Sequence, residues 1–271
     1  MEIDVDRFKE GQKAMWTAGD YAEVALRIVP VGEYLAQRAG AGPGVDLLDV
    51  ATGTGNVSIP AALAGAVVTA LDLTPKLLAE QRERAAAAGV EVELVEGDAE
   101  ALPFEDGSFD RVTSCFGVMF APRQQLAARE LLRVARPGGE VLVAAWTPGG
   151  MVGRMFGASA AYMPPPPEGF VPPMMWGDEE HVRDLFEGTG AELSFERRSV
   201  FFEGPSVEAW VAQDEAILGP SVLAKAALER EGRYAELRND VTAIYAGFNE
   251  AADGSFRAPA EYLVTVARKP G

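Results

Sequence analysis

The stretch VDLLDVATGTGNVS, residues 45–58, decides the fold of this chain. Its first half is an apolar run typical of a buried parallel strand. Gly53 and Gly55 follow in a loop, where glycine lets the backbone turn sharply and lets a ligand approach closely. The pattern predicts a strand, a tight turn and a helix, with a ligand bound at the carboxyl end of the strand.

Two residues distinguish the nucleotide cofactors that such a loop could bind. A dinucleotide fingerprint has a third glycine three residues after the second, and here that position is Ser58. Asp49, which precedes the loop, suits a cationic ligand better than a pyrophosphate. S-adenosylmethionine has a sulfonium, an ammonium and no phosphate, so it fits this environment. The same residues disfavour a nicotinamide-dependent dehydrogenase.

The segment LLDVATGTGNV closely resembles motif I of the class I S-adenosylmethionine-dependent methyltransferases. The similarity is strongest to the ubiquinone and menaquinone biosynthesis group, methyltransferase type 11. Later family motifs are matched in order by ALDLTPKLL, VEGDAEALPF, FDRVTSCFGVMF and LLRVARPGGEVLV. The resemblance implies an α/β, Rossmann-like fold with seven strands, mostly parallel, flanked by helices. In that fold the last strand is antiparallel, and N-terminal helices and a cap or insertion complete the chain.

The chain is predicted to divide into four parts around this core. Residues 1–44 form an N-terminal helical segment that covers the cofactor site, and residues 45–146 form the cofactor-binding core. Residues 147–259 form a cap and helical insertion interleaved with a core helix and strand, and residues 260–271 form the final core strand. The Gly-, Pro- and Met-rich stretch 147–177 is interpreted equally as a lid over the acceptor pocket or as a packed connection.

The resemblance assigns roles to two acidic residues of the core. Asp72 accepts hydrogen bonds from the ribose hydroxyls, and Asp98 with the Ala99 amide contacts the adenine edge. The alternatives are a helix cap for Asp72, although Thr74 is expected to supply that cap, and a turn residue for Asp98. The residues predicted to bind S-adenosylmethionine are Asp49, Ala51, Thr52, Gly53, Gly55, Asp72, Leu73, Asp98, Ala99, Ser114, Cys115 and Tyr21.

The implied reaction is an in-line methyl transfer to an oxygen, carbon or nitrogen atom of a small apolar or aromatic metabolite. His181, the only histidine, is the candidate base, and a structural or solvated histidine is the alternative. Trp16 and Tyr21 are interpreted either as cofactor or acceptor contacts or as packing residues. The predicted acceptor pocket consists of Trp16, Phe116, Met119, Phe120, Tyr162 and Trp176.

Composition narrows the classes of partner. The net charge of -17 disfavours nucleic acids and anionic membranes, because phosphate contacts would form against the protein's own field. Cys115 is the only cysteine, which excludes an intramolecular disulfide, and a cytoplasmic location is the expectation. We find no residue spacing typical of a metal site and no membrane-spanning run. The alternative function is a protein that binds S-adenosylmethionine without methyl transfer, such as a cyclase or an interaction module.

Overall fold

The computed structural model describes residues 4–166 and 168–271, in which seven strands form one sheet. The strands are β1 (Asp46–Val50), β2 (Val67–Asp72), β3 (Glu93–Glu96), β4 (Phe109–Cys115), β5 (Ala135–Trp146), β6 (Glu192–Gly204) and β7 (Phe256–Arg268). Their spatial order is β3-β2-β1-β4-β5-β7-β6. Strands β1 to β5 are parallel, and β7 is antiparallel to both of its neighbours. The predicted sheet, with its antiparallel last strand, is confirmed.

Helices flank this sheet throughout the described ranges. They are α1 (Val5–Thr17), α2 (Tyr21–Leu26), α3 (Val29–Arg38), α4 (Ser58–Leu63), α5 (Pro75–Ala88), α6 (Gln124–Val134), α7 (Met151–Ala161), α8 (Glu179–Leu185), α9 (Val207–Ile217), α10 (Gly219–Glu231) and α11 (Tyr234–Phe248). Short 3-10 turns cover Val118–Phe120 and Pro173–Gly177. Helix α8 begins after Asp178, whose carboxylate accepts a hydrogen bond of 3.0 Å from the His181 amide.

The central strand of the sheet is buried, and the direction of its neighbours determines which edge of the sheet carries the functional loops. Leu47, Leu48 and Val50 of β1 are completely buried. Because β1 pairs in parallel with β2 on one side and β4 on the other, the carboxyl ends of all three strands meet at one edge. The loops that leave these strands therefore lie side by side, which is where open α/β sheets bind ligands.

A second layer of helices covers this edge, and we call α1, α2, α7, α9, α10 and α11 the helical cap. Two glycines let its N-terminal and C-terminal parts approach closely. A β-carbon added at Gly19 would lie 2.0 Å from the Ile217 carbonyl oxygen, and one added at Gly219 would lie 2.0 Å from the Met15 oxygen. The Asp20 amide also donates to the Ile217 carbonyl at 2.9 Å. The cap is thus closed by backbone contact.

The structure corrects one predicted boundary and adds detail to the cap. The last strand begins at Phe256 rather than at Ala260. The stretch 147–177 contains helix α7 and a 3-10 turn, while Pro167 in its proline run lies outside the described residues. Across the described ranges, no helix combines the length and the apolar character needed to span a bilayer.

Candidate functional site

The loop between β1 and α4 has an unusual backbone. Ala51, Gly53 and Gly55 have φ values of 52°, 58° and 91°, in the left-handed region that disfavours most side chains. A β-carbon added at Gly53 would lie 2.9 Å from the Tyr21 ring, and one at Gly55 would lie 2.9 Å from the Gln81 side chain. Both glycines are required because neighbours press against the loop, and strained loops of this kind are common at functional sites.

Asp49 holds this loop from beneath. One of its carboxylate oxygens accepts hydrogen bonds from the Thr52 hydroxyl at 2.7 Å and the Ser58 amide at 3.2 Å. The other oxygen accepts from the Thr113 hydroxyl of β4 at 3.1 Å. Burial raises the pKa of Asp49 to about 6, although these bonds act to lower it. The buried carboxylate therefore holds the loop after β1 in place through hydrogen bonds, beneath the edge of the sheet.

Asp72, the last residue of β2, faces the same edge. Its two oxygens accept 2.8 Å hydrogen bonds from the amides of Gly53 and Thr74. Burial raises the pKa of Asp72 above its ordinary value. A carboxylate has about four acceptor positions, so two further donors can bind here. The expectation that Thr74 supplies a side-chain cap for α5 is wrong, because its hydroxyl makes no capping bond.

A first cavity of about 750 Å³ opens between this edge and α1. Seven residues predicted to bind the cofactor line it, namely Ala51, Gly53, Asp72, Leu73, Asp98, Ala99 and Tyr21. The structure thus brings together the ends of β1, β2 and β3 with the first residue of α2, as the sequence predicted.

The other predicted cofactor residues support the cavity without lining it. Thr52 binds Asp49, and Gly55 packs against Gln81. Ser114 is fully buried, and its hydroxyl accepts a 3.0 Å bond from the amide of Val118, which fixes the turn after β4. Burial raises the pKa of the Cys115 thiol well above its ordinary value, so this thiol is a poor nucleophile.

One face of α1 closes the first cavity, and the sequence analysis identified only part of it. Lys9, Gln12, Lys13 and Trp16 all line the cavity, at the spacing of one helical face. The Oε1 atom of Gln12 is buried and has no hydrogen-bond partner among the described residues. An unpaired buried acceptor is costly, and this atom is covered by protein rather than open to the cavity.

Lys9 is also paired with acidic residues at the far end of the cavity. Its ammonium binds the Asp98 carboxylate at 2.5 Å and also contacts Glu100, whose side chain is fully buried. Arg123 donates to Glu100 from its side chain at 2.9 Å. The Asp98 carboxylate, predicted to contact adenine, is thus engaged by a cation from the helical cap.

Aromatic rings form the boundary at the other end of the first cavity. Phe116, directly after β4, has a φ of 58° and stacks on Trp146 with ring centroids 3.7 Å apart. Trp16 of α1 meets Phe120 edge-on at 4.8 Å and Tyr21 at 5.5 Å. Phe116 is held in a strained conformation by this stacking and by the turn that follows.

A second cavity, of about 600 Å³, adjoins the first. The two cavities share Trp16, Tyr21, Phe116 and Phe120 as lining residues. The remaining wall is mainly apolar and comes from the region of α2, from α7, from the C-terminal cap helices and from strands β5 and β6. It consists of Val24, Arg27, Ile28, Trp146, Val152, Met155, Phe156, Phe202, Asp214, Leu218 and Tyr245.

Four residues predicted for catalysis or acceptor binding line neither of these cavities. Met119 and Trp176 are completely buried in the core. Tyr162 donates a 2.6 Å hydrogen bond to Asp240 elsewhere in the helical cap. The His181 ring forms a 2.8 Å hydrogen bond with Gln124 of α6, so the prediction that it acts as a base receives no support from this geometry.

Helix α7 supplies residues of the second cavity that the sequence analysis did not single out. Val152, Met155 and Phe156 line the second cavity, while Met151 packs into the core. These residues recur in the sequence at helical spacing, which is the signal that could have identified them.

No group of three or more histidine, cysteine, aspartate or glutamate side chains capable of holding a metal ion occurs in the ranges 4–166 and 168–271.

Comparison with known proteins gives the family. The model of the methyltransferase domain matches residues 48–143. The chain is 47% identical over 189 residues to the uncharacterized protein Rv1403c of Mycobacterium tuberculosis, covering 69% of each chain. It is 39% identical over 154 residues to the ubiquinone/menaquinone biosynthesis C-methyltransferase UbiE of Roseobacter denitrificans, covering 49% of this chain and 60% of that enzyme.

The fold is also found in a solved structure. The YcgJ protein of Bacillus subtilis superposes with a TM-score of 0.61 at 16% identity, covering 88% of this chain and 97% of that one. This likeness supports the fold, while the sequence relatives and the matched domain support the chemistry. The chain belongs to the class I S-adenosylmethionine-dependent methyltransferases.

Proposed function

We propose that this enzyme transfers the methyl group of S-adenosylmethionine to a small apolar or aromatic metabolite, with the donor in the first cavity and the acceptor in the second. Family membership implies S-adenosylmethionine-dependent methylation. The observation that carries the finer proposal is the wall of four aromatic residues that the two cavities share. A donor and an acceptor bound on either side of one boundary are held within reach of each other.

The polar groups of the first cavity fit the donor. Asp72 retains acceptor capacity for the ribose hydroxyls beyond its two backbone bonds. Asp98 and the Ala99 amide lie in the same lining, consistent with recognition of the adenine edge. These assignments give the first cavity its proposed role.

When bound, S-adenosylmethionine supplies an electrophilic methyl group on a positively charged sulfur. Trp16, Tyr21 and Phe116 present aromatic rings at the shared boundary, where a ring face attracts a cation. The same rings exclude water from the boundary between the two cavities. Since the positive charge on sulfur is lost as the methyl group moves, the aromatic contacts serve mainly to position it, and alignment of the acceptor supplies the acceleration.

The second cavity contains no evident base among its described lining residues. Burial raises the pKa of Tyr21 and of Tyr245 well above the ordinary value, so both phenols stay protonated near neutral pH. Both oxygens of Asp214 are engaged, by Arg27 and by Tyr245. We therefore expect an acceptor atom that is nucleophilic without proton removal by the enzyme, such as an activated carbon or a neutral nitrogen.

Calorimetric titration with S-adenosylmethionine and with S-adenosylhomocysteine tests the donor site. Asp72→Asn removes one charge and one acceptor oxygen, so affinity for both ligands should fall about a hundredfold. Asp106→Asn is the matched control, because its carboxylate is exposed and lies outside both cavities. Unchanged affinity in Asp72→Asn would contradict the assignment of the first cavity.

Transfer itself is tested with the donor carrying a radiolabelled methyl group, incubated with an organic extract of bacterial metabolites. Label that moves into the extractable fraction with wild type and not with Asp72→Asn supports methyl transfer to an apolar small molecule. Binding of S-adenosylhomocysteine with no transfer to any fraction would favour a protein that binds the cofactor without methylating.

A further inference from the structure

One residue of the wall between the two cavities is held more tightly than the others. We call this wall, formed by Trp16, Tyr21, Phe116 and Phe120, the partition. Phe116 follows β4 directly and is 6% exposed, whereas the other three residues are half-buried. The partition therefore contains one ring that belongs to the sheet edge and three rings that are more open to solvent.

The ring of Phe116 is fixed by two residues of neighbouring strands. It stacks face to face on Trp146 at an interplanar angle of 8° and meets Tyr262 edge-on at 5.7 Å. Trp146 and Tyr262 are both buried and lie opposite each other in the pairing of β5 with β7. A buried ring stacked in this way loses close contacts when it turns, so it resists displacement by a ligand.

The backbone of Phe116 is fixed as well. Its φ of 58° is in the left-handed region, and its amide donates a 2.9 Å hydrogen bond to the carbonyl of Ala144. A β-carbon added at Gly117 would lie 2.4 Å from the Ala51 carbonyl oxygen, so the turn after β4 packs directly on the loop after β1. A strained residue persists only where the surrounding structure holds it in this way.

Packing of the core explains the stacking of this ring but not its backbone. A left-handed φ is unfavourable for phenylalanine, and filling a core does not require it. The conformation is explained if the ring of Phe116 has to stand at one place between the two cavities. The half-buried rings of the partition can give way to a ligand, and the ring of Phe116 cannot.

We propose that Phe116 determines the donor's specificity, because its fixed ring limits the group on the donor sulfur to a methyl group. The inference rests on the proposed function, since it requires this group to point from the first cavity towards the partition. A packed apolar wall accepts a group that fits and rejects one with additional carbon atoms. The ring would thus exclude donors that carry a longer alkyl group.

Four ligands measure this limit without an acceptor and without turnover. S-adenosylmethionine, S-adenosylethionine and the S-allyl analogue carry methyl, ethyl and allyl groups on the same sulfonium. S-adenosylhomocysteine, which lacks the group and its charge, verifies that the first cavity is intact. By calorimetric titration, wild type should bind the ethyl ligand about tenfold and the allyl ligand about a hundredfold more weakly than S-adenosylmethionine.

Phe116→Leu shortens the side chain in the partition and keeps it apolar. The preference for the methyl over the allyl ligand should therefore fall from about a hundredfold to about tenfold or less. Phe109→Leu is the matched control, because Phe109 is similarly buried at the other end of β4 and lies outside both cavities. The control should keep the full preference. Thermal unfolding and binding of S-adenosylhomocysteine are measured on each variant.

Trp146→Leu tests the inference without changing Phe116. It removes the ring on which Phe116 stacks, so the ring of Phe116 can tilt and the preference should fall by about threefold or more. This result would support the inference even where Phe116→Leu does not fold. Equal affinity of wild type for the three sulfonium ligands, or a preference that Phe116→Leu leaves unchanged, would overturn it while the donor site stands. If S-adenosylhomocysteine itself does not bind to wild type, the proposed function fails first.

Discussion

The sheet edge and the helical cap build their cavities in different ways. At the edge, backbone geometry shapes the cavity, because Ala51 and Gly53 are held in the left-handed region and Asp72 is fixed by two amides. In the cap, side chains from distant segments meet, and Arg27 and Asp214 are 187 positions apart in the chain. One region is defined by a local turn, and the other by tertiary packing.

This difference has a functional consequence. A cavity built on backbone turns tolerates changes elsewhere and suits a donor common to a whole family. A cavity lined by side chains from several cap helices and from β5 and β6 is altered by substitutions in any of them, which suits an acceptor particular to one enzyme. Perturbing the cap should therefore alter acceptor binding and stability, whereas perturbing the edge should alter donor binding.

The largest effect on stability is expected from Gly219→Ala, which disrupts the packing of the cap helices. The added β-carbon would lie 2.0 Å from the Met15 carbonyl oxygen, so α1 and α10 must separate. We expect the free energy of unfolding to fall by about 3 kcal/mol. Urea denaturation measures the loss, and hydrogen exchange should locate it in the cap helices rather than in β1 and β4.

Gly11→Ala provides the matched control for that substitution. Gly11 lies within α1, and a β-carbon there meets no atom within 4 Å. Removing a glycine from an open helical position should raise stability by about 0.5 to 1 kcal/mol. Equal stability of Gly219→Ala and wild type, or loss of protection in the sheet as large as in the cap, would contradict the division into two regions.

The next effect is a pH-dependent change in the free energy of unfolding caused by Asp49, which lies beneath the edge. Its pKa of about 6 in the folded state lies above the ordinary value of 3.8, because the carboxyl is buried. Between those two pH values the unfolded chain binds fewer protons, so this group makes folding less favourable as pH rises. Asp49→Asn, which stays uncharged, should gain about 3 kcal/mol relative to wild type between pH 3.5 and 7, which is an order-of-magnitude figure.

Denaturation curves for both proteins at several pH values in this window measure the difference. Asp106→Asn, which changes an exposed carboxylate, should alter stability by less than about 0.5 kcal/mol at every pH. A stability difference between Asp49→Asn and wild type that stays constant with pH would show that Asp49 titrates normally in the folded protein.

The two regions also differ in how far the sequence revealed them. The seven-stranded sheet with its antiparallel last strand, the turn at Gly53 and the place of Asp72 at a strand end were predicted from short sequence motifs. Both Trp16 and Phe120, which were predicted for the acceptor pocket, line the two cavities, and their contact with an acceptor stays a prediction. Local patterns are informative where a strand end or a helical face fixes the direction of a side chain.

The rest of the acceptor cavity escaped prediction because no local pattern encodes it. Nothing near Arg27 in the sequence indicates that it pairs with Asp214 of α9. His181 was predicted to be a base from its residue type alone, and in the structure its ring forms a hydrogen bond with Gln124 instead. The face of α1 that carries Lys9 and Gln12 had the right spacing, but its polar residues resembled a solvated helix surface.

The smallest effect is expected where the two regions meet, at the pair of Lys9 and Asp98. The Lys9 ammonium of the cap binds the carboxylate that we assign to the adenine amine, so it must give up this contact when the donor binds. Lys9→Met should therefore raise affinity for S-adenosylhomocysteine by about three- to tenfold, the usual range for a partly exposed pair. Calorimetry measures the change.

Lys13→Met is the control, because Lys13 lines the same cavity but pairs with the exposed Glu10. Its effect on affinity should stay within about twofold. If Lys9→Met instead weakens binding, Lys9 holds the donor rather than competing with it. The cap helix α1, which already forms one wall of the first cavity, would then also contribute to donor affinity.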